Sequence, residues 1–254
     1  MLDHEPRKRT SGIDRTLQIL DILAERQVAM TVYELAKSAG APASTIYRLV
    51  DELVERGLLS RTEDNAIWLG PRLMRYGLIY RGQMDAFALA EQEMRRLARK
   101  TGETVQICAN DDNMMLVVAM ARGEGHFRIT SDVGTRVPLN WTASGRLLLG
   151  HLPEAERIAR FARHGRPSRT GLAETDPRRL SDQSEADFRA RLAIQTNTSE
   201  FAVTCIASPI RDAVGTCIAT ISIVLADRQI ETRGDELASA VRDAALAIEE
   251  AMGH

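Results

Sequence analysis

Four residues at the front of one short helical pattern, Ser44, Thr45, Tyr47 and Arg48, have the types and spacing for recognition chemistry. Hydroxyl groups can donate or accept, and a guanidinium presents a planar fork of donors to two acceptors at once. A second group, Thr142-Ala143-Ser144-Gly145, opens another helical pattern with small residues, after Pro138 and Trp141. Free amides at a helix start, left accessible by small side chains, suit a small anion. Ile129, Val137 and Trp141 would wall such a site with apolar surface. The same segment also reads as Thr142 capping a helix whose small residues pack closely on a sheet. A third candidate is Cys205 as a nucleophile, but it lies in an apolar strand with no histidine near it in sequence and nothing visible to lower its pKa. The chain carries no GxSxG, GxxxxGK[ST] or HExxH pattern, and Gly123-Glu124-Gly125 is too short for a nucleotide fingerprint. His4, His126, His151, His164 and His254 are scattered without metal-ligand spacing. No metal and no cofactor is expected.

The first group is positioned by the stretch from Thr31 to Leu59. Thr31 is suited to cap a helix that carries Val32, Leu35 and Ala36 at helical spacing, and Gly40 ends it. Pro42 delays the restart, and a second helix runs from about Ala43 to Arg56 with Ile46, Leu49, Val50, Leu53 and Val54 in one stripe. Ser44, Thr45, Tyr47, Arg48 and Asp51 occupy its other face. Two helices joined by a tight turn form either a helix-turn-helix, whose second helix enters the DNA major groove, or a plain helical hairpin within a core. A preceding helix from Ile13, with Leu17, Leu20, Ile22 and Leu23, supplies packing for both. After Gly57, Leu58–Arg61 and Ala66–Gly70 read as a hairpin turning at Glu63-Asp64-Asn65. That hairpin favours a winged helix-turn-helix, with Arg61 and Asn65 on the wing facing phosphates. Ahead of it lies a polar arm with Arg7, Lys8 and Arg9, able to touch phosphates or a minor groove, or simply a solvated tail.

Composition limits what such a module can do. The chain has 254 residues, 44% hydrophobic and 27% charged, and a net charge of −2; this suits a soluble protein of two domains, or one large one, and argues against non-specific coating of nucleic acid. Within residues 1–82 there are 12 Lys or Arg against 11 Asp or Glu, a net of +1. One module would bind DNA weakly, so pairing of two copies is expected. Three cysteines without CxxC spacing suggest neither a disulfide framework nor zinc. With neither a membrane-length apolar run nor a signal-peptide pattern, a cytoplasmic location is expected.

Past a helix from Pro71 to Tyr80, the stretch Arg81–Asp85 loosens the chain and is the expected boundary between domains 1–82 and 83–254. The helix Ala86–Lys100 has an apolar side and a charged one; the charged side is a solvated face or joins domains or subunits. Strands are expected at Thr104–Ala109 and Met115–Met120, with a third near Phe127–Ser131. Helices follow from Thr142 or Ala143 to His151, from Pro153 to Arg163 and around Ser184–Leu192. The polar, Gly- and Pro-punctuated residues 163–177 form a loop. Apolar strands Ala202–Ile210 and Thr216–Leu225 come next, and a final helix runs from Thr232 to Ala251. Strand pairs around intervening helices make an α+β domain with an antiparallel sheet.

The segments IDRTLQILDILAE, ASTIYRLVDELVERGLL, NWTASGRLLLGHLP and CIASPIRDAVGTCIATISI, spread over about Ser11 to Gly253, together resemble the isocitrate-lyase-regulator (IclR) family. The resemblance implies a bacterial transcription factor with an N-terminal winged helix and a C-terminal GAF-like effector domain. It implies a small organic-acid effector held by main-chain amides of Ala143 and Ser144, where the TASG helix begins, and by the side chains of Cys205 and Ser222. A second serine of the family pattern is Val224 here. The stretch before Cys205 lacks the family's glycine and is shortened, so the family's acidic contact falls on Gln195 or is absent. Those departures imply an effector more apolar, or less hydroxylated, than glyoxylate or a sugar acid. The expected protein is a homodimer or homotetramer reading a palindromic operator, with no membrane partner. The rival readings are an enzyme using Cys205 beside an accessory winged helix, and a pure protein-interaction module.

Overall fold

The helical rhythm from Ile13 becomes α1 (Gly12–Arg26) in a computed structural model, which describes residues 11–82, 85–124 and 130–253. The chain divides into two compact units, Met1–Gln83 and Met84–His254.

In the first unit, caps set the helix starts. Ser11 Oγ accepts from the Asp14 amide while the Asp14 carboxylate accepts from the Ser11 amide. Thr31 and Glu34 repeat that reciprocal pair at the head of α2 (Val32–Ser38). Gly40, at φ +58°, makes the turn that lets α3 (Ala43–Glu55) begin after Pro42. Ile19 and Leu23 of α1, Leu35 of α2, and Ile46, Val50 and Leu53 of α3 close on Leu59 and Ile67, all essentially buried. Those last two belong to β1 (Leu59–Arg61) and β2 (Ile67–Leu69), an antiparallel pair whose turn places Asn65 at φ +63°. The helix expected to end at Tyr80 is longer: α4 runs Pro71–Gly82. Helix α5 is Asp85–Thr101, and residues 83 and 84, within the expected loosening at Arg81–Asp85, lie outside the described residues.

The second unit is built on one six-stranded antiparallel sheet. Its strands are β3 (Thr104–Asp111), β4 (Met114–Ala121), β5 (Arg136–Pro138), β6 (Ala193–Thr196), β7 (Val203–Arg211) and β8 (Cys217–Ala226), in the order β5-β4-β3-β8-β7-β6. Asp112 and Asn113, both at positive φ, form the two-residue turn between β3 and β4. Period-two alternation sorts the strand side chains. Val105, Ile107, Ile206, Ile221 and Ile223 enter a core with Leu97 of α5 and Leu237, Val241, Ala244, Ala245 and Ile248 of α9 (Ile230–Ala251). On the other face, α6 (Ala143–Leu149), α7 (Glu154–His164) and α8 (Pro177–Arg189) pack over Cys108, Val117, Ala207 and Cys217.

Three expectations are corrected in this unit. Helix α8 begins at Pro177 rather than near Ser184, because the Asp176 carboxylate caps the amides of Arg178 and Arg179. Strand β6 replaces what reads in sequence as irregular chain. Of the strand expected near Phe127–Ser131, residues 127–129 lie outside the described residues, and 130 and 131 are not in a strand.

Candidate functional site

On α3, the apolar stripe faces inward and leaves Ser44, Tyr47 and Arg48 exposed and Thr45 half-buried. Arg48 has no hydrogen-bond or ion-pair partner among the described residues, so its donors are available. The wing arginine differs: Arg61 pairs with Asp51 at 2.7 Å and reaches Asn65 Oδ1 at 3.3 Å. The polar face of α3 thus has two parts, a free leading end and a trailing end tied to the wing. Arg9 lies outside the described residues.

In the second unit, α6 and the sheet enclose a cavity of about 580 Å³. Its floor is fully buried: Cys108, Ser144 and Ser222, with Cys205 of β7 opening onto it. Val137, Trp141, Val203 and Val224 add apolar wall. Alternation in β8 directs Ser222 here while Ile221 and Ile223 enter the opposite core. Ser144 Oγ and Ser222 Oγ are both buried with no hydrogen-bond partner at bonding distance; the polar groups facing them are weak ones, the thiol of Cys108 for both and that of Cys205 for Ser222. An unpaired buried hydroxyl costs roughly 1–3 kcal/mol, which a ligand accepting or donating there would offset.

Other members of the predicted set have different surroundings. Gly145 does not line the cavity: its amide donates to Thr142 Oγ1 at 2.9 Å, and a Cβ there would collide with the Leu139 carbonyl. Ala143 is buried beside Leu147, Ala193 and Ala207 rather than at the cavity surface. Gln195 also stands behind the wall. Its Oε1 accepts from Arg146 Nη1 at 2.9 Å and its Nε2 donates to the Trp141 carbonyl. Arg146 is itself held by Asp187 at 2.7 Å, a nearly buried ion pair. Ile129 lies outside the described residues. The carboxylate in the lining is instead that of Glu200, which accepts from Thr130 Oγ1 at 2.8 Å. Gln106, Arg136 and Arg169 also line the cavity and were not singled out in sequence. Gln106 carries a usable signal, a long amide in an otherwise apolar stretch; Arg136 in the short strand β5 and Arg169 in its loop carry none.

The thiols of the cavity are poor nucleophiles. Burial pushes Cys108 up to about 12, although the hydroxyls of Ser144, Ser222 and Thr220 oppose it. Burial pushes Cys205 up to about 11 against the Ser222 hydroxyl, the Arg146 charge and the Ser144 amide. No histidine contributes to either shift. Among the described residues, no group of three or more His, Cys, Asp or Glu could hold a metal ion, and no helix is long and apolar enough to cross a membrane.

A helix-turn-helix followed by a two-stranded wing in one unit, and a ligand-sized cavity over an antiparallel sheet in the other, define a one-component transcriptional regulator. Residues 12–63 match the IclR helix-turn-helix domain and residues 79–250 match the bacterial transcriptional regulator IclR C-terminal domain. The chain belongs to the IclR family, with a DNA-binding helix-turn-helix and a C-terminal effector domain. Relatives are named as regulators. The HTH-type transcriptional regulator KipR of Bacillus subtilis is 27% identical over 247 residues, covering 97% of this chain and 98% of that protein. The HTH-type transcriptional repressor AllR of Escherichia coli is 28% identical over 254 residues, covering 97% and 92%. Among solved structures, an IclR homolog from Microbacterium hydrocarbonoxydans complexed with 4-hydroxybenzoate superposes with a TM-score of 0.82 at 27% identity, covering 94% of this chain and 98% of that one. A regulator from Silicibacter sp. TM1040, at 20% identity and a TM-score of 0.84, has the same fold.

Proposed function

We infer that this protein controls transcription in the cytoplasm by binding a small organic acid with an apolar body in the cavity of its 83–254 domain. Its 1–82 domain reads a palindromic operator as part of a homodimer or homotetramer, and the effector shifts that binding. The observation that carries the effector half is the pair of unpartnered, fully buried hydroxyls, Ser144 Oγ and Ser222 Oγ, facing a cavity of about 580 Å³. An acid group there would be met by Ser144, Ser222 and Cys205, while Trp141, Val137, Val203 and Val224 take the apolar body. The related structure holding 4-hydroxybenzoate supports that class of ligand. The reading revises two expectations: Gly145 and Ala143 shape the helix start, and Gln195 buttresses Trp141 and Arg146 from outside the cavity.

The ligand acts on DNA binding only if it prefers one arrangement of the reading heads, since equal affinity for both shifts nothing. Ser44, Thr45, Tyr47 and Arg48 read the operator, with Arg61 and Asn65 on the wing and Arg9 in the arm toward the backbone. Arg48→Ala weakens specific operator binding by about 1–3 kcal/mol if it spans a base edge in a two-pronged contact. Calorimetric titration of the full chain with 4-hydroxybenzoate, benzoate, glyoxylate and gluconate tests the effector half. Binding to the aromatic acids, weakened in Ser222→Ala, and a matching change in operator gel shift are expected; tight binding to gluconate alone would overturn it.

A further inference from the structure

The cavity read as an organic-acid site contains a carboxylate of its own. Glu200 sits in the segment between β6 and β7, half-buried, and lines the cavity with Thr130. One of its oxygens, Oε2, accepts from Thr130 Oγ1; Oε1 has no donor among the described residues. Arg136, in the same lining, is paired with Asp111 at 2.9 Å. Arg169, also in the lining, forms no ion pair with Glu200. The cavity therefore has two unlike polar ends. Its floor, Ser144, Ser222 and Cys205, is neutral and rich in donors, under the positive charge of Arg146. Its outer end, with Glu200 and Thr130, is part-exposed and holds the one carboxylate among the described lining residues, in a lining that also contains Arg136 and Arg169. Trp141, Val137 and Val203 lie in the lining with both ends.

We propose that Glu200 selects the effector by accepting a hydrogen bond from a donor, a hydroxyl or an amine, at the end of the ligand remote from its acid group. This rests on the reading of the cavity as an organic-acid site and adds to it a second recognition point. The physical reason is twofold. A carboxylate with one oxygen unused is a strong acceptor, because hydrogen bonds to charged groups exceed neutral ones. It also repels the ligand's carboxylate across the same cavity, so at this end an acid that brings no donor meets the repulsion without the compensating hydrogen bond. Selectivity of this sort uses an unfavourable term against the wrong ligand as well as a favourable one for the right one. Glu200 is thus a specificity-determining residue, and the preferred ligand is an acid carrying a distal donor, ahead of a plain apolar acid.

The test is calorimetry on the full chain with 4-hydroxybenzoate, its methyl ether 4-methoxybenzoate, and benzoate, comparing wild type with Glu200→Gln and Glu200→Ala. In the wild type the hydroxy acid binds about tenfold or more tighter than the methyl ether and benzoate. In Glu200→Ala that gap closes to within about twofold, and benzoate binds as well as or better than before because the repulsion is gone. Glu200→Gln, isosteric and uncharged, falls between. Equal binding of all three acids by the wild type, or an undiminished gap in Glu200→Ala, overturns the proposal while leaving the acid site standing. Binding of none of them removes the acid-site reading, and the role of Glu200 with it. Circular dichroism on both variants separates lost recognition from lost fold.

Discussion

At the scale of single residues, the cavity thiols bear on one rival reading, an enzyme with a cysteine nucleophile. A nucleophilic cysteine needs a lowered pKa, from a histidine, a metal or a helix start acting on an accessible sulfur. Here burial dominates every cysteine and drives Cys108, Cys205 and Cys217 upward, to about 12, 11 and 12. Cys205 is therefore a small, weakly polar wall, and native protein at pH 8 alkylates slowly with iodoacetamide; complete modification within minutes would restore the nucleophile. The same shifts set a pH window. A folded thiol that keeps its proton to about 11 or 12, against 9 for the unfolded group, contributes stability that is complete below pH 9 and lost as pH climbs through the folded values. The thermal midpoint is expected to fall between pH 9 and 11, and less steeply in Cys205→Ala. Parallel curves for the two proteins would show that Cys205 does not titrate with unfolding.

At the scale of elements, most of the architecture was legible because apolar spacing and caps agree. The stripe Ile46, Val50, Leu53 marks the buried side of α3, Thr31 marks the start of α2, and the alternation in β7 and β8 marks the sheet. Where apolar residues do not carry the pattern, the reading failed. The buried side of α8 is Leu180, Ser181, Ser184 and Asp187, so its first two turns look solvated in sequence despite the Asp176-Pro177 start signal. Strand β6 alternates Ala193 and Gln195 inward, and Gln195 is buried only because Arg146, 49 residues away, and the Trp141 carbonyl satisfy it. Partners so distant leave no local trace. The segment before β7 shows the same limit. Sequence registers a missing glycine; the structure puts Ala202 at φ +62°, its amide donating to Asn197 Oδ1 at 2.6 Å and its carbonyl accepting from Asp227. An alanine in the left-handed region costs roughly 1–2 kcal/mol, partly offset by the greater unfolded-state freedom of glycine. Ala202→Gly should stabilise the fold by about 0.5–1 kcal/mol in urea unfolding. A destabilised variant would mean that the methyl group packs well enough to outweigh the backbone strain.

At the scale of the whole molecule, charge sets how the reading helix can be used. The chain has a net charge of −2, and residues 1–82 hold 12 cations against 11 anions. One of those cations, Arg61, is already engaged by Asp51. Affinity for DNA grows with the number of phosphates neutralised, and each contact adds close to one to the slope of log affinity against log salt. A single DNA-binding domain with so small an excess has little of that sequence-independent term, and on the proposed reading Arg48 with its neighbours supplies direction more than strength. Two domains tied through their effector units change this, because the second engagement is intramolecular and gains about 10²–10⁴ without any new contact. On the proposed reading, a palindrome with half-sites about 10 bp apart, or a multiple of that, binds at least about 100-fold tighter than an isolated half-site. Inserting about 5 bp between the half-sites turns one to the opposite face of the duplex and abolishes the gain. Gel-shift titrations on these three duplexes at one salt concentration decide the matter: equal affinities would mean that one reading domain suffices, and that the near-neutral first unit binds DNA through contacts other than paired reading helices.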